Sequence, residues 1–145
     1  MQLPGSLPVM LSGVSNGGCF ALRLAVNNGI ATCTFAASIW DNLLVHSMIN
    51  VYAIHGKKDN SVPYYGGPAH GLIFLPAEDS IEACVPGVNP TSKTDLPGST
   101  LICYESVTGV KSQLLSVNNA GHAVMTSYKG IDLIDSMFEY FRKFI

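Results

Sequence analysis

Charge is what this chain has least of. Only 12% of its residues are Asp, Glu, Lys or Arg, and the formal net charge is −2. There is no basic run, so nothing favours nucleic acid or an anionic membrane surface as a partner. No apolar stretch is long enough for a membrane span. Met1-Gln2-Leu3-Pro4-Gly5 lacks the charged leader and apolar core of a secretory signal. Cys19, Cys33, Cys84 and Cys103 contain no C-x-x-C pair, and the histidines have no metal-ligand spacing, so no metal site is expected. There is no internal repeat. What remains is a chain of 145 residues that is 48% apolar, enough for one domain with a well-buried core.

The densest signal is Gly13-Val14-Ser15-Asn16-Gly17, of the form G-x-S-x-G, followed by Gly18. The apolar run Pro8-Val9-Met10-Leu11 leads in. Cys19-Phe20-Ala21-Leu22-Arg23-Leu24-Ala25-Val26 leads out as a helix. Strand, sharp turn and helix in that order make the pattern a nucleophile elbow; without that context it is a structural turn holding a serine. In an elbow, Ser15 is the nucleophile, strained and clear of the sheet. Glycines flank it because side chains there would collide with strand and helix. The Asn16 backbone N–H, at the positive end of the helix, is an oxyanion donor.

The rest of the chain reads as strands alternating with helices. Strands are expected over 8–14, 31–39, 48–54, 101–106 and 112–117, the last two joined by a turn at Thr108-Gly109. A helix over 17–28 is apolar nearly all round, so it should be buried, with Gly29 as a left-handed cap. A short helix follows Pro76, with Glu78 and Asp79 in its first turn. The last helix runs over 131–144. Its face is Ile131, Ile134, Phe138, Phe141 and Ile145, widened by Leu133, Met137 and Phe144. Residues 86–99 read as a loop. Cys84 and Cys103 flank it and are the pair a disulfide would join, which would place the chain in an oxidising compartment. Cys19 and Cys33 read as buried thiols. The pattern is α/β: a mostly parallel sheet flanked by helices on both faces.

A serine nucleophile needs a general base, and the base needs a carboxylate. On strand–helix scaffolds the chain order is serine, acid, histidine. His122 follows a strand and Gly121 and precedes the last helix, the right place for the base. His55 reads as ordering the acid loop, and His46 and His70 as solvated. Asp59, just past a strand, leads as the acid. Asp41 is its rival, and a solvated turn aspartate is the alternative for both. Asp132 and Asp135 read as first-turn helix charges. Trp40, Tyr64 and Tyr65 lie in loops at the same edge, where they either contact substrate or cover the rim of the core.

Gly13-Val14-Ser15-Asn16-Gly17-Gly18, His55-Gly56-Lys57-Lys58-Asp59-Asn60-Ser61-Val62-Pro63-Tyr64 and Ala120-Gly121-His122 together resemble the α/β-hydrolase superfamily. The S-N-G-G elbow and the H-G-x-x-D-x-x-V-P-Y-x-G-G loop are similar, more narrowly, to the polyhydroxybutyrate depolymerase and feruloyl esterase group. The resemblance implies a carboxylic ester substrate, polymers included, cleaved through an acyl-enzyme by Ser15, His122 and Asp59. It implies no cofactor, and a secreted or periplasmic location. A serine peptidase, a thioesterase and a non-catalytic binding half share these motifs. The family domain carries several strands before the elbow, and this chain has almost nothing there. Residues 1–145 are therefore expected to form a partial catalytic domain, an incomplete α/β-hydrolase fold with its amino-terminal strands missing. The strand at 8–14 would then expose an apolar edge, a place for self-association. The loop giving the second oxyanion donor would be missing too. Loss of one donor costs about 100- to 1000-fold in rate, so the isolated chain is expected to be weak or inactive.

Overall fold

The computed structural model describes residues 8–40, 48–123 and 127–144. Its elements begin with β1 (Met10–Val14), α1 (Asn16–Asn28), β2 (Ala31–Phe35), β3 (Val51–Gly56), β4 (Gly67–Ala69), β5 (Leu72–Phe74) and α2 (Ala77–Cys84). They continue with β6 (Ser92–Leu96), β7 (Ser99–Glu105), β8 (Lys111–Val117), β9 (Ser127–Tyr128), β10 (Ile131–Asp132) and α3 (Leu133–Phe141). The main sheet has 6 strands in the order β1-β2-β3-β8-β7-β6. β1, β2, β3 and β8 are parallel, whereas β7 and β6 add antiparallel strands. The chain is α/β, with a mixed and mostly parallel sheet.

β3 shows why the strands lie where they do. All of Val51–Gly56 is buried, as a continuous apolar strand must be when both sheet faces are covered. Side chains alternate between the faces. Val51 and Ala53 meet Leu22 and Val26 of α1 and Ile81 of α2. Tyr52 and Ile54 meet Leu133, Met137, Tyr140 and Phe141 of α3 on the other face. Each large apolar side chain so buried contributes roughly 1.5–3 kcal/mol.

The same alternation corrects the disulfide expectation. All four cysteines are free. Ile102 and Tyr104 of β7 face the α1/α2 core together with Cys84, so Cys103 between them faces the opposite side of the sheet. Cys84 instead donates its thiol to the Ser80 carbonyl at 3.2 Å. Cys19 and Cys33 are buried thiols.

Residues 86–99 are not one loop. Ser92–Leu96 pair antiparallel with β7 as an outer strand whose residues are all exposed, which is why no apolar alternation marks it. α1 is buried on one face only: Phe20 is 61% exposed, and Arg23 and Leu24 also face solvent. In α3 the buried stripe is Leu133, Met137, Tyr140 and Phe141, while Phe138 is 51% exposed. Leu133, Met137 and Phe141 thus lie on the face the apolar spacing marks, whereas Phe138 turns to solvent and the buried Tyr140 was not named by it; the helix itself starts two residues later, after the β9–β10 hairpin. Asp132 caps α3, accepting from the Ile134 and Asp135 N–H groups. Among the described residues β1 is the outer strand on its side, with Met10, Leu11 and Val14 only half-buried.

Candidate active site

The carboxyl ends of three parallel strands carry the candidate side chains. Ser15 follows β1, Asp59 lies just past β3, and His122 lies beyond β8. β3 and β8 are neighbours, with His55 opposite Ser116 and Gly56 opposite Val117. That pairing brings the acid and histidine loops together, and loops at this end of a parallel sheet are where sites form.

Ser15 has φ 52° and ψ −124°, a sparsely populated region for a side-chain-bearing residue. Its N–H donates to the Phe35 carbonyl and its own carbonyl accepts from Cys19 N–H, both at 2.9 Å, which ties the strained residue to β2 and α1. A Cβ at Gly13 would lie 2.3 Å from the Gly17 carbonyl carbon, and one at Gly18 would lie 2.7 Å from the Ala37 Cβ. Those two glycines are required by crowding. Gly17 is not: a Cβ there meets nothing within 4 Å. Ser15 occupies the N-cap position of α1 but its side chain makes no capping bond. Its hydroxyl lies instead 2.8 Å from His122 Nε2. The Asn16 N–H opens α1, where unsatisfied donors and the helix dipole favour negative charge.

Asp59 is buried, 2% exposed. Its Oδ1 accepts from the Ser61 and Val62 N–H groups, each at 2.9 Å. Its Oδ2 lies 2.9 Å from His122 Nδ1 and 3.2 Å from His55 Nε2. Gly56 makes this junction possible. A Cβ there would stand 2.3 Å from the Ala120 carbonyl oxygen, within the loop that carries His122. Lys57 and Lys58 N–H groups donate to the Val117 and Ala120 carbonyls at 2.9 Å, stitching the two loops together.

Burial pushes the Asp59 carboxyl up, but donors from His55, His122, Val62 and Ser61 outweigh it and hold it at about 2, below its usual 3.8. An ionised carboxylate only accepts hydrogen bonds. His122 therefore carries its proton on Nδ1, and Nε2 is left to accept from the Ser15 hydroxyl. The Ser15 hydroxyl, the His122 imidazole and the Asp59 carboxylate thus form one directed relay. Burial raises the thiol pKa of Cys19, one turn beyond Ser15, which disfavours the thiolate a sulfur nucleophile needs.

Beside Ser15 lies an apolar cleft of about 230 Å³ lined by Asn16, Cys19, Phe20, Trp40, Leu72 and Phe74. Of the aromatic residues expected at this edge, Trp40 lines the cleft, with the Arg23 guanidinium 5.4 Å from its ring centre. Tyr64 does not meet that expectation. It is 3% exposed and its hydroxyl bonds Ser116 and Glu78, so it supports the loop from inside the core. Tyr65 is 72% exposed and packs edge-on against Tyr64. His70 is exposed, with Ser61 Oγ 3.3 Å from its Nε2. Asp41 and His46 lie outside the described residues.

Sequence reasoning missed Phe20, Leu72 and Phe74. The last two sit on the β4–β5 hairpin, which the sequence marks with His70-Gly71 between Gly67-Pro68-Ala69 and Leu72-Ile73-Phe74. A two-residue turn ending in glycine between short apolar runs is a hairpin signal. No protein-family model matches the chain, and no curated protein matches it.

Proposed function

We propose that this chain is a serine hydrolase of the α/β-hydrolase kind, cleaving carboxylic esters through an acyl-enzyme. The observation that carries the reading is the relay Ser15 Oγ–His122 Nε2 at 2.8 Å and His122 Nδ1–Asp59 Oδ2 at 2.9 Å. Its members come from three strand ends, in the chain order serine, acid, histidine. Ser15 Oγ attacks the ester carbonyl as His122 Nε2 takes its proton. The Asn16 N–H receives the oxyanion. His122 returns the proton to the leaving alcohol, and water then repeats the sequence on the acyl-enzyme. Asp59 keeps the imidazole in the productive tautomer and stabilises the imidazolium.

The cleft beside Ser15 supports an ester with an uncharged, apolar substituent next to the scissile bond. Among the described residues its lining carries no charged side chain. Hydroxyalkanoate and feruloyl esters are the narrower substrates proposed on the resemblance. The test is labelling with a fluorophosphonate probe, with Ser15→Ala and His122→Ala as controls. Labelling of the chain that is lost in both variants supports the reading. A soluble, folded chain that labels equally in Ser15→Ala or His122→Ala overturns it.

A further inference from the structure

We infer that His55 is a positioning residue: its Nε2–H holds the same carboxylate oxygen of Asp59 that orients His122. The inference rests on the serine-hydrolase reading for its catalytic consequence, and on geometry alone for its structural one.

His55 closes β3 and is 1% exposed. Its Nε2 lies 3.2 Å from Asp59 Oδ2 and 3.0 Å from the Val62 carbonyl oxygen. Both partners are acceptors, so Nε2 carries the proton and shares it between them. Nδ1 is buried and, among the described residues, has no hydrogen-bond partner. The Tyr64 ring meets the imidazole edge-on at 5.4 Å and fixes its plane.

An imidazole is a poor choice here for packing alone. A leucine or phenylalanine would fill the space without an orphan nitrogen. What imidazole supplies is a rigid donor. Asp59 Oδ1 is pinned by two backbone N–H groups, whereas the partners of Oδ2 among the described residues are His55 and His122. His122 changes its charge during the proposed reaction. A donor fixed in the core on the same oxygen therefore holds the carboxylate plane steady through the cycle. Cys19 of α1 also interacts with Asp59, and burial raises its thiol pKa.

The test compares His55→Leu, which fills the space without a donor, with His55→Gln, whose side-chain N–H reaches the position of Nε2. His55→Met serves as a more adaptable filler should the leucine variant not fold. The first readout is the Asp59 carboxyl carbon followed by NMR. The parent and His55→Gln should stay flat down to about pH 3, while His55→Leu should titrate closer to the usual 3.8. The second is hydrolysis of an activated ester. His55→Leu should lose about 10- to 100-fold in kcat with KM little changed, and His55→Gln should recover most of it. An unmoved Asp59 titration with parental kcat in His55→Leu overturns the inference. So does a glutamine variant as impaired as the leucine one. The Asp59 titration decides whether His55 holds that carboxylate even where the isolated chain hydrolyses no ester, and equal fluorophosphonate labelling in His122→Ala is what would remove the serine-hydrolase reading.

Discussion

Replacing Asp59 with asparagine changes one atom and tests the whole relay. Oδ1 accepts from the Ser61 and Val62 N–H groups, so the asparagine oxygen will take that place. Its NH2 group then stands where Oδ2 faced His122 Nδ1 and His55 Nε2. Donor meets donor at both imidazoles. His122 relieves its clash by moving the proton to Nε2, the nitrogen 2.8 Å from Ser15 Oγ. That nitrogen can no longer accept the serine proton. A wrong-tautomer histidine costs about 10⁴-fold in rate, or about 5.5 kcal/mol of transition-state stabilisation. The variant also loses the stability linked to the ionised carboxyl. Lowering its pKa from 3.8 to about 2 corresponds to about 2 kcal/mol at most near neutral pH. The two effects separate if the fluorophosphonate labelling rate is expressed per folded molecule, with the folded fraction taken from a denaturant curve. Labelling within about tenfold of the parent by a folded Asp59→Asn chain would refute the assignment of Asp59 as the group that sets the His122 tautomer.

Acid unfolding should carry the same signature. The folded pKa of Asp59 is depressed, so its contribution is complete above 3.8 and is lost as pH falls toward about 2. Stability measured by denaturant titration should therefore fall more steeply across that window in the parent than in Asp59→Asn; parallel curves would contradict it. Two glycine substitutions should behave oppositely. Gly56→Ala sets a Cβ 2.3 Å from the Ala120 oxygen, so the His122 loop must move. Labelling should fall at least about tenfold, with about 1–3 kcal/mol of stability lost. Gly17→Ala meets nothing within 4 Å inside a helix, and should gain about 0.5–1 kcal/mol with labelling near parental.

The parts legible in the sequence were those set by local pattern. The buried run at Val51–Ile54, the cap at Gly29 (φ 67°) and the strand–turn–helix around Ser15 all lie where periodicity and turn chemistry put them. Ser15, Asp59 and His122 could be nominated because each follows a strand. Their convergence could not be read, because it depends on β8 lying beside β3, a pairing between segments far apart in the chain. Cys84 and Cys103 went the other way. They flank one loop, but the two-residue alternation of β7 sends Cys103 to the far face of the sheet. β6 was missed because an outer strand with both faces wet needs no apolar alternation. Gly17 and Gly18 exchanged roles for a similar reason. The motif names Gly17, yet the residue pressed against Ala37 is Gly18, and only the packing of α1 on the segment after β2 decides which.

Local rules fail most at Ser15, and the failure has a measurable size. Its φ of 52° with ψ −124° costs a side-chain-bearing residue about 1–3 kcal/mol. The hydroxyl returns none of this by capping α1, since it makes no cap bond. The strain persists because Ser15 N–H is bound to Phe35 and its carbonyl to Cys19, while Gly13 and Gly18 let strand and helix crowd together around it. A serine here serves the position of its hydroxyl rather than the fold. Ser15→Gly should therefore be more stable than Ser15→Ala, because both lack the hydroxyl and only alanine keeps the strained Cβ. Glycine's greater freedom in the unfolded chain takes back about 0.5–1 kcal/mol, leaving a net difference of about 1 kcal/mol. Paired denaturant curves read that difference directly. If Ser15→Gly is the less stable of the two, the backbone at residue 15 is not strained, and the hydroxyl is not being held out for chemistry at the fold's expense.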